Sequence, residues 1–259
     1  MPSRSFLIVM LLVLVTGYLG VNLLVRRIYP KQLFPYRGSS YEDSGALLRT
    51  TAPDGNEIVL AHLPAEDPRA PLLLYFHGNG EDIGHNADRF EWFRSLGYGV
   101  LAPDYPGYGL SQGEPTPDSV RAAAGAALAL AAGELGRTPG DIVLWGRSVG
   151  GGPAIHLAAG EDFRGLILES AFRSVFSVAV PFPLVIPEPF ANEKLMATVE
   201  TPVYLFHGGA DPIIPASHAS ALRDAAAGPA ELFLYPEGGH NDLRLFGRED
   251  METVLESLR

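Results

Sequence analysis

A serine between two glycines stands after a short apolar run and before a segment of small residues. Ser148 is the centre of Gly146-Arg147-Ser148-Val149-Gly150, which follows the apolar run at 142–145. This layout is typical of a nucleophile elbow, in which a sharp turn between a buried strand and a helix holds the serine. Glycines are needed on both sides because the turn leaves no room for side chains there. The pattern predicts that Ser148 is a nucleophile, although taken alone it also fits an ordinary glycine-rich turn.

A serine hydroxyl is a poor nucleophile near neutral pH, so it needs a histidine to accept its proton and a carboxylate to hold that histidine. Asp211 follows the apolar run at 203–206, and His240 follows the run at 232–235. The order Ser148, Asp211, His240 is one of the orders in which this triad occurs on parallel α/β sheets. Glu169, at the end of the run 166–168, is the rival for the acid.

Attack on a carbonyl group creates an oxyanion, which backbone N–H groups stabilise. One predicted donor is Val149, the residue after the nucleophile. The other is Asn79, in the sequence His77-Gly78-Asn79-Gly80 that follows the apolar run at 72–76. We expect His77 to orient this loop by hydrogen bonding without accepting a proton, and Asp104 to be a structural carboxylate.

Short apolar runs predict the elements that position these residues. Segments 47–51 and 58–63 flank an Asp-Gly turn, which predicts an antiparallel hairpin. Runs with the length of strands buried on both faces lie at 72–76, 100–102, 142–145, 166–168, 203–206 and 232–235. A helix is predicted from Thr116-Pro117 to Leu135, with Thr116 as its cap. The predicted fold class is α/β, a mostly parallel, doubly wound sheet with its site at the carboxyl ends of the strands.

Composition excludes several classes of function. A chain of 259 residues with 47% hydrophobic content predicts one catalytic domain, residues 46–259. The absence of cysteine excludes disulfides, thiolate zinc sites and cysteine nucleophiles. A net charge of −11 argues against a nucleic-acid partner. The histidines lack the spacing of a zinc motif, so we predict no metal and no cofactor.

The N-terminus contains a candidate membrane span. Residues 6–25 carry no charge, and twenty helical residues measure about 30 Å, the thickness of a bilayer core. We predict a transmembrane anchor at residues 1–27 and a tether at 28–45, while a cleaved signal peptide with Arg4 as its basic end is the alternative. Arg26, Arg27 and Lys31 outnumber Arg4, which by the positive-inside rule favours a cytoplasmic catalytic domain.

Four ordered motifs resemble the α/β-hydrolase superfamily: His77-Gly78-Asn79-Gly80, Asp104-Tyr105-Pro106-Gly107-Tyr108-Gly109, Gly146-Arg147-Ser148-Val149-Gly150-Gly151 and Gly239-His240-Asn241-Asp242. Within it, residues 45–257 are similar to the membrane-anchored branch that contains α/β-hydrolase domain-containing proteins 13 and 17 and related bacterial hydrolases. The resemblance implies the α/β-hydrolase fold, with Ser148 as nucleophile, Asp211 as acid and His240 as base. With the single N-terminal span, we expect the protein in the bacterial inner membrane, and export after signal-peptide cleavage is the alternative. Some relatives remove acyl groups from proteins by thioester hydrolysis, but the cysteine-rich N-terminus by which the protein 17 group attaches to membranes is replaced here by an apolar span.

An insertion at residues 171–200 is rich in apolar side chains and proline, which are Phe172, Val175, Phe176, Pro181, Phe182, Pro183, Leu184, Val185, Ile186, Pro187, Pro189 and Phe190. Two interpretations are open: a short lid over Ser148 that suits an acyl chain, or ordinary core packing on the sheet.

The predicted function is a serine hydrolase (EC 3.1) that cleaves carboxylic esters or thioesters of a small-molecule or acylated substrate through an acyl-enzyme. A peptidase or amidase that uses the same triad is one alternative. A non-catalytic, membrane-tethered scaffold is the other.

Overall fold

The structure, a computed structural model, describes residues 2–35, 38–43, 45–180 and 182–259. Tyr36, Arg37 and Ser44 of the predicted tether and Pro181 of the predicted insertion lie outside the described residues.

One sheet of eight strands organises the described part of the chain, in the order β1-β2-β4-β3-β5-β6-β7-β8. The first two strands form the predicted hairpin, and β2 also pairs antiparallel with β4, whereas all other pairs are parallel. The strands are β1 (Leu48–Thr51), β2 (Glu57–Leu63), β3 (Leu72–Phe76), β4 (Gly99–Pro103), β5 (Ile142–Arg147), β6 (Gly165–Glu169), β7 (Val203–Gly208) and β8 (Ala230–Tyr235). The predicted fold class is therefore confirmed.

The central strands are apolar on both faces because helices cover both faces. In β3, Leu72, Leu74 and Phe76 point into one hydrophobic cluster, while Leu73 and Tyr75 point into the other. This alternation is the two-residue period of a strand. The second cluster is covered by α2 (Ala87–Ser95) and α8 (Leu243–Ser257); the first is covered by α3 (Pro117–Gly133), α4 (Gly151–Ala158), α6 (Asn192–Met196) and α7 (Ser217–Ala225).

Local sequence explains where α3 begins. The Thr116 hydroxyl accepts a hydrogen bond from the Ser119 amide, and Ser119 bonds back to the Thr116 amide. This reciprocal capping box, with proline at the first helical position, satisfies amides that the helix leaves free. The predicted start of this helix is confirmed, and the helix ends two residues before the predicted Leu135.

The N-terminal helix α1 (Arg4–Leu33) contains the predicted span. It is the one described helix that is long and apolar enough to cross a membrane, with a mean hydropathy of 2.4 in its most apolar window and 6% of that window buried. A cleaved signal sequence at the N-terminus can have the same length and hydropathy, so this helix fits both alternatives. The helix continues into the range predicted as tether, and the next residue, Phe34, is buried with its ring edge-on to Tyr105 and Tyr108.

The insertion contains the short helix α5 (Val175–Ala179) as well as α6. Its side chains divide between two environments. Phe190 is buried against Phe172 and lies so close to Gly152 that a side chain there would meet its ring. Phe182 and Val185 are exposed to solvent by 43% and 66%.

The elbow after β5 is a place of backbone strain. Ser148 has a φ of 52°, a left-handed conformation that side chains disfavour. The chain then passes so close to its surroundings that a Cβ atom on Gly146 would lie 2.5 Å from the Gly150 oxygen, and one on Gly150 would overlap the carbonyl of Phe76. Only glycine fits at these two positions, as the sequence pattern predicted.

The elbow leads to a test with an internal control. Gly150→Ala is expected to lower the melting temperature by roughly 2–12 °C, because relieving the overlap with the Phe76 carbonyl costs about 1–3 kcal/mol, and each kcal/mol shifts the melting temperature of a chain of this size by about 2–4 °C. Gly125→Ala, in the middle of α3 where an added Cβ meets nothing within 4 Å, is expected to raise it by about 2 °C through helix propensity. The melting temperatures of wild type and both full-length variants are measured by thermal unfolding in the same detergent. A Gly150→Ala protein as stable as Gly125→Ala would contradict the described elbow.

Candidate active site

Three predicted residues meet at the carboxyl edge of the sheet. The Nε2 atom of His240 lies 3.0 Å from the Oγ atom of Ser148, and its Nδ1 atom lies 2.7 Å from Oδ2 of Asp211. Each side chain follows the end of a parallel strand, β5, β7 or β8, so the sheet brings together residues that are 92 and 29 positions apart in sequence. All three are 8% exposed, hence nearly dehydrated but reachable. This hydrogen-bonded chain can move the serine proton to the imidazole.

The carboxylate of Asp211 is held in its charged form. Burial would raise its pKa, but hydrogen bonds from His240 and from the amides of Ile214 and Ile213 outweigh burial and lower the pKa below the usual range. The two amide bonds, at 2.9 and 2.8 Å, fix the Oδ1 atom and leave Oδ2 for His240. Nearby, burial lowers the pKa of His207, whose Nε2–H donates to the Ile214 carbonyl at 2.8 Å.

Glu169, the rival acid, is engaged elsewhere. Its buried carboxylate accepts two hydrogen bonds from Arg89, at 2.5 and 3.1 Å, and one from the indole of Trp145 at 3.0 Å. Burial would raise its pKa, but the charges of Arg89 and Arg147 lower it further than burial raises it. Asp211, not Glu169, therefore contacts His240.

The loop after β3 is fixed around the Asn79 amide. The Nδ1–H of buried His77 donates to the Gly78 carbonyl at 2.8 Å. In a trans peptide the C=O and N–H point in opposite directions, so this bond sets the direction of the Asn79 N–H. The Tyr105 and Tyr108 hydroxyls donate to the carbonyls of His77 and Asn79, at 2.7 and 3.0 Å.

Asp104 also holds the loop after β3 in place. It accepts hydrogen bonds from the Ile83 amide at 2.9 Å and from the Tyr41 hydroxyl, and one of its oxygens lies 3.4 Å from Nε2 of His77. It does not contact Ser148 or His240 in these bonds, which agrees with the structural role expected for it. The burial of Tyr41 and its bond to Asp104 raise the pKa of that phenol, which therefore stays a donor.

Val149 is the middle residue of the turn that leads into α4. Ser148–Gly150 form a single 3₁₀ turn, and α4 follows without a break. The amino end of a helix carries a partial positive charge, which favours a negative charge that develops at Ser148.

Two cavities meet at Ser148. One, of about 260 Å³, has a mostly apolar lining: Tyr29, Gln32, Leu33, Asn79, Ser148, Val149, Phe172, Val175, Val178, Ala179, Ile213 and Ile214. The other, of about 490 Å³, has more polar residues in its lining: Gly78, Asn79, Gly80, Glu81, Arg147, Ser148, Ile213, His240 and Asn241. Asn79 lines both cavities and Val149 the apolar one, so both predicted donors lie beside the serine.

Sequence reasoning missed two parts of this site. The end of α1 lines the apolar cavity, and an apolar segment that looks like an anchor gives no signal of such a role. Arg147, inside the elbow motif, donates to Glu81 and to Asn241, both at 2.6 Å, and so joins the loops that follow β3 and β8. A charged residue inside the elbow motif, directly before the serine, was the sequence signal that could have pointed to Arg147.

Among the described residues, no group of three or more histidine, aspartate or glutamate side chains is arranged to hold a metal ion.

The chain is similar to known proteins in sequence. Residues 67–186 match the family described as serine aminopeptidase, S33. Human alpha/beta hydrolase domain-containing protein 17B is 29% identical over 81% of this chain and 74% of its own length. An uncharacterised protein of Mycobacterium tuberculosis is 31% identical over 73% of this chain and 68% of its own length.

The fold has solved counterparts. An esterase from Pyrococcus furiosus superposes with a TM-score of 0.71 at 14% identity, over 87% of this chain and 97% of that one. An esterase from Exiguobacterium antarcticum gives a TM-score of 0.62 at 18% identity, over 81% and 97% of the two chains. With the strand order, the elbow and these sequence matches together, the chain belongs to the α/β-hydrolase superfamily and is a hydrolase by family.

Proposed function

We propose that this protein is a serine hydrolase that cleaves carboxylic esters or thioesters through an acyl-enzyme. The observation that carries this proposal is the hydrogen-bonded series Asp211–His240–Ser148 beside two cavities. Esterases among proteins of the same fold agree with it. We also propose that α1 anchors the catalytic domain, residues 46–259, to a membrane.

In acylation, the Oγ atom of Ser148 attacks the carbonyl carbon while Nε2 of His240 takes the hydroxyl proton. Asp211 stabilises the imidazolium that forms, through its bond to Nδ1. The oxyanion of the tetrahedral intermediate accepts hydrogen bonds from the amides of Asn79 and Val149, and the loss of one such donor costs about 3 kcal/mol.

The intermediate collapses when the bond to the alcohol or thiol breaks, and His240 returns the proton to the leaving group. Water then attacks the acyl-Ser148 ester, with His240 again as base. The second intermediate releases the carboxylic acid and restores the serine hydroxyl.

Labelling of the serine is the first test. A fluorophosphonate probe should label the full-length protein, and Ser148→Ala should remove labelling and esterase activity together. The reason is that, among the described residues, Ser148 is the one hydroxyl group hydrogen-bonded to Nε2 of His240. The variant removes one hydroxyl group from an 8% exposed position, so its melting temperature checks that it folds. Folded wild-type protein that resists the probe would instead favour the non-catalytic scaffold.

The identity of the acid gives a second test. Asp211→Asn should lower kcat/KM for an ester by about 10⁴-fold, since the amide can neither stabilise the imidazolium nor hold the right tautomer. Glu169→Gln is the control: it disrupts a buried ion pair with Arg89, so it should lower the melting temperature far more than the activity of the folded fraction. Comparable activity losses in the two variants would contradict the assignment of Asp211.

Peptide or amide hydrolysis is the second candidate, because the matched family carries the description serine aminopeptidase. An aminopeptidase must bind the α-ammonium group of its substrate, and a carboxylate usually does so. Among the described residues that line the polar cavity, Glu81 is the only acid, and its carboxylate is paired with Arg147. This pairing argues against an aminopeptidase and so favours ester hydrolysis over that candidate.

Matched substrates separate the two candidates. We expect the full-length protein to hydrolyse a p-nitrophenyl ester at least about a hundredfold faster than the p-nitroanilide of the same acyl group. Both rates are corrected for uncatalysed hydrolysis in buffer, and the ratio of the corrected rates should exceed the ratio of the uncatalysed rates. A preference for the anilide, and most of all for an anilide with a free α-amino group, would replace the ester proposal with the aminopeptidase.

A further inference from the structure

The apolar cavity at Ser148 is not built by the catalytic domain alone. Tyr29, Gln32 and Leu33, on the last turns of α1, form part of its wall. The opposite wall comes from Val178 and its neighbours in α5, within the insertion. The helix that carries the span therefore ends at the nucleophile.

The length of α1 places this wall next to the bilayer. The helix has 30 residues and measures about 45 Å, while a bilayer core is about 30 Å thick. If residues 6–25 cross the core, residues 26–33 continue the helix by about 12 Å beyond it, through Pro30. Phe34, buried against Tyr105 and Tyr108, then fixes the end of the helix to the catalytic domain.

The insertion contacts α1 within the span itself. The Tyr18 hydroxyl donates to the carbonyl of Pro183 at 2.8 Å, and the Asn22 side chain accepts from the amide of Val185 at 2.8 Å. Tyr18 and Asn22 lie about 10 and 5 Å before the end of the span along the helix axis. Residues 183–185 therefore reach the depth of the outer hydrocarbon.

These two bonds solve a problem that loops have in lipid. A backbone N–H or C=O without a partner costs several kcal/mol in hydrocarbon, at roughly 4–8 kcal/mol in an alkane reference. The polar side chains of α1 supply partners for Pro183 and Val185. Proline also has no N–H to satisfy, and the insertion has prolines at 183, 187 and 189. The exposed side chains at its tip, Phe182 and Val185, are apolar and suit contact with acyl chains.

We propose that the apolar cavity is an acyl-chain site shared by α1 and the insertion, filled from the bilayer. The substrate class is a membrane-resident amphiphile: its acyl chain lies between the end of α1 and α5, and its polar leaving group lies in the cavity lined by Arg147 and Asn241. This inference rests on the proposed ester hydrolysis, and adds to it that α1 contributes to the choice of substrate.

The first experiment blocks the cavity from the α1 side. Gln32 is exposed and lines the cavity, whereas its exposed neighbour Lys31 does not line it, so Gln32→Trp and Lys31→Trp are a matched pair. In full-length protein, wild type and Lys31→Trp should favour p-nitrophenyl octanoate over acetate. Gln32→Trp should lower the ratio of the two kcat/KM values by about tenfold, the loss expected when about two methylene groups no longer fit. Melting temperatures of the three proteins check folding.

The outcomes separate this inference from the proposed function. A wild-type protein that labels with fluorophosphonate but shows no preference for the longer ester, or a Gln32→Trp ratio equal to that of Lys31→Trp, would overturn the shared acyl site and leave the serine hydrolase standing. A wild-type protein with neither labelling nor ester turnover would overturn both.

The second experiment measures contact with lipid. Because the chain has no cysteine, a single Val185→Cys substitution can carry an environment-sensitive fluorophore. The control is Glu161→Cys, an exposed position before the amino end of β6, at the end of the sheet away from Ser148. In phosphatidylcholine–phosphatidylglycerol vesicles, the label at 185 should shift to the blue and be quenched by doxyl lipid, and the label at 161 should not. Equal, water-like emission from both positions would contradict entry of the chain from the bilayer.

Discussion

The site depends on one close approach between two pieces of backbone. Gly150 lies directly against the carbonyls of Phe76 and His77, and Gly146 lies opposite Phe76 in the pairing of β5 with β3. This contact brings the loop after β3 next to the elbow after β5, so that Asn79 and Val149 lie beside the same serine. The left-handed backbone of Ser148, a conformation that costs roughly 1–3 kcal/mol, persists because the paired strands on both sides leave the turn no other path.

A charged side chain reinforces the same arrangement. Arg147 directly precedes Ser148, and one of its guanidinium NH2 groups donates to Glu81, whose carboxylate also accepts a hydrogen bond from the Gly78 amide at 2.7 Å. The other NH2 group of Arg147 donates to Asn241, the residue after His240. Burial would raise the pKa of Glu81, but the charge of Arg147 and the Gly78 amide lower it. A buried ion pair adds little net stability, because dehydration of the charges offsets their attraction. Its effect here is geometric, since one guanidinium joins the loops that hold the proposed oxyanion donors, the proposed nucleophile and the proposed base.

The sequence predicted the site best where a side chain that can act in catalysis follows directly after a strand. Ser148, Asp211 and His240 each follow an apolar run, and parallel strands place such positions at one edge, so their meeting could be predicted without knowledge of packing. The role of α1 could not be predicted in this way. Tyr18 and Asn22 have partners 165 and 163 residues away, and a run of apolar residues looks the same whether lipid or an active site lies beside it. The helix α2 also lacks a strong apolar stripe, since Arg89 within it turns inward to the buried Glu169.

The two cavities also constrain how a reaction at Ser148 is completed. In the proposed mechanism the acyl group stays bound to the serine after the leaving group departs, so its chain keeps the apolar cavity closed to water. The polar cavity, lined by His240 and Asn241, is emptied by the same step. In that mechanism the hydrolytic water enters through this emptied cavity, where Nε2 of His240 can accept its proton. If the proposals hold, the apolar wall that includes the end of α1 assigns one side of the serine to the acyl chain, and the polar wall built by the loops after β3, β5 and β8 assigns the other side to the leaving group and the hydrolytic water.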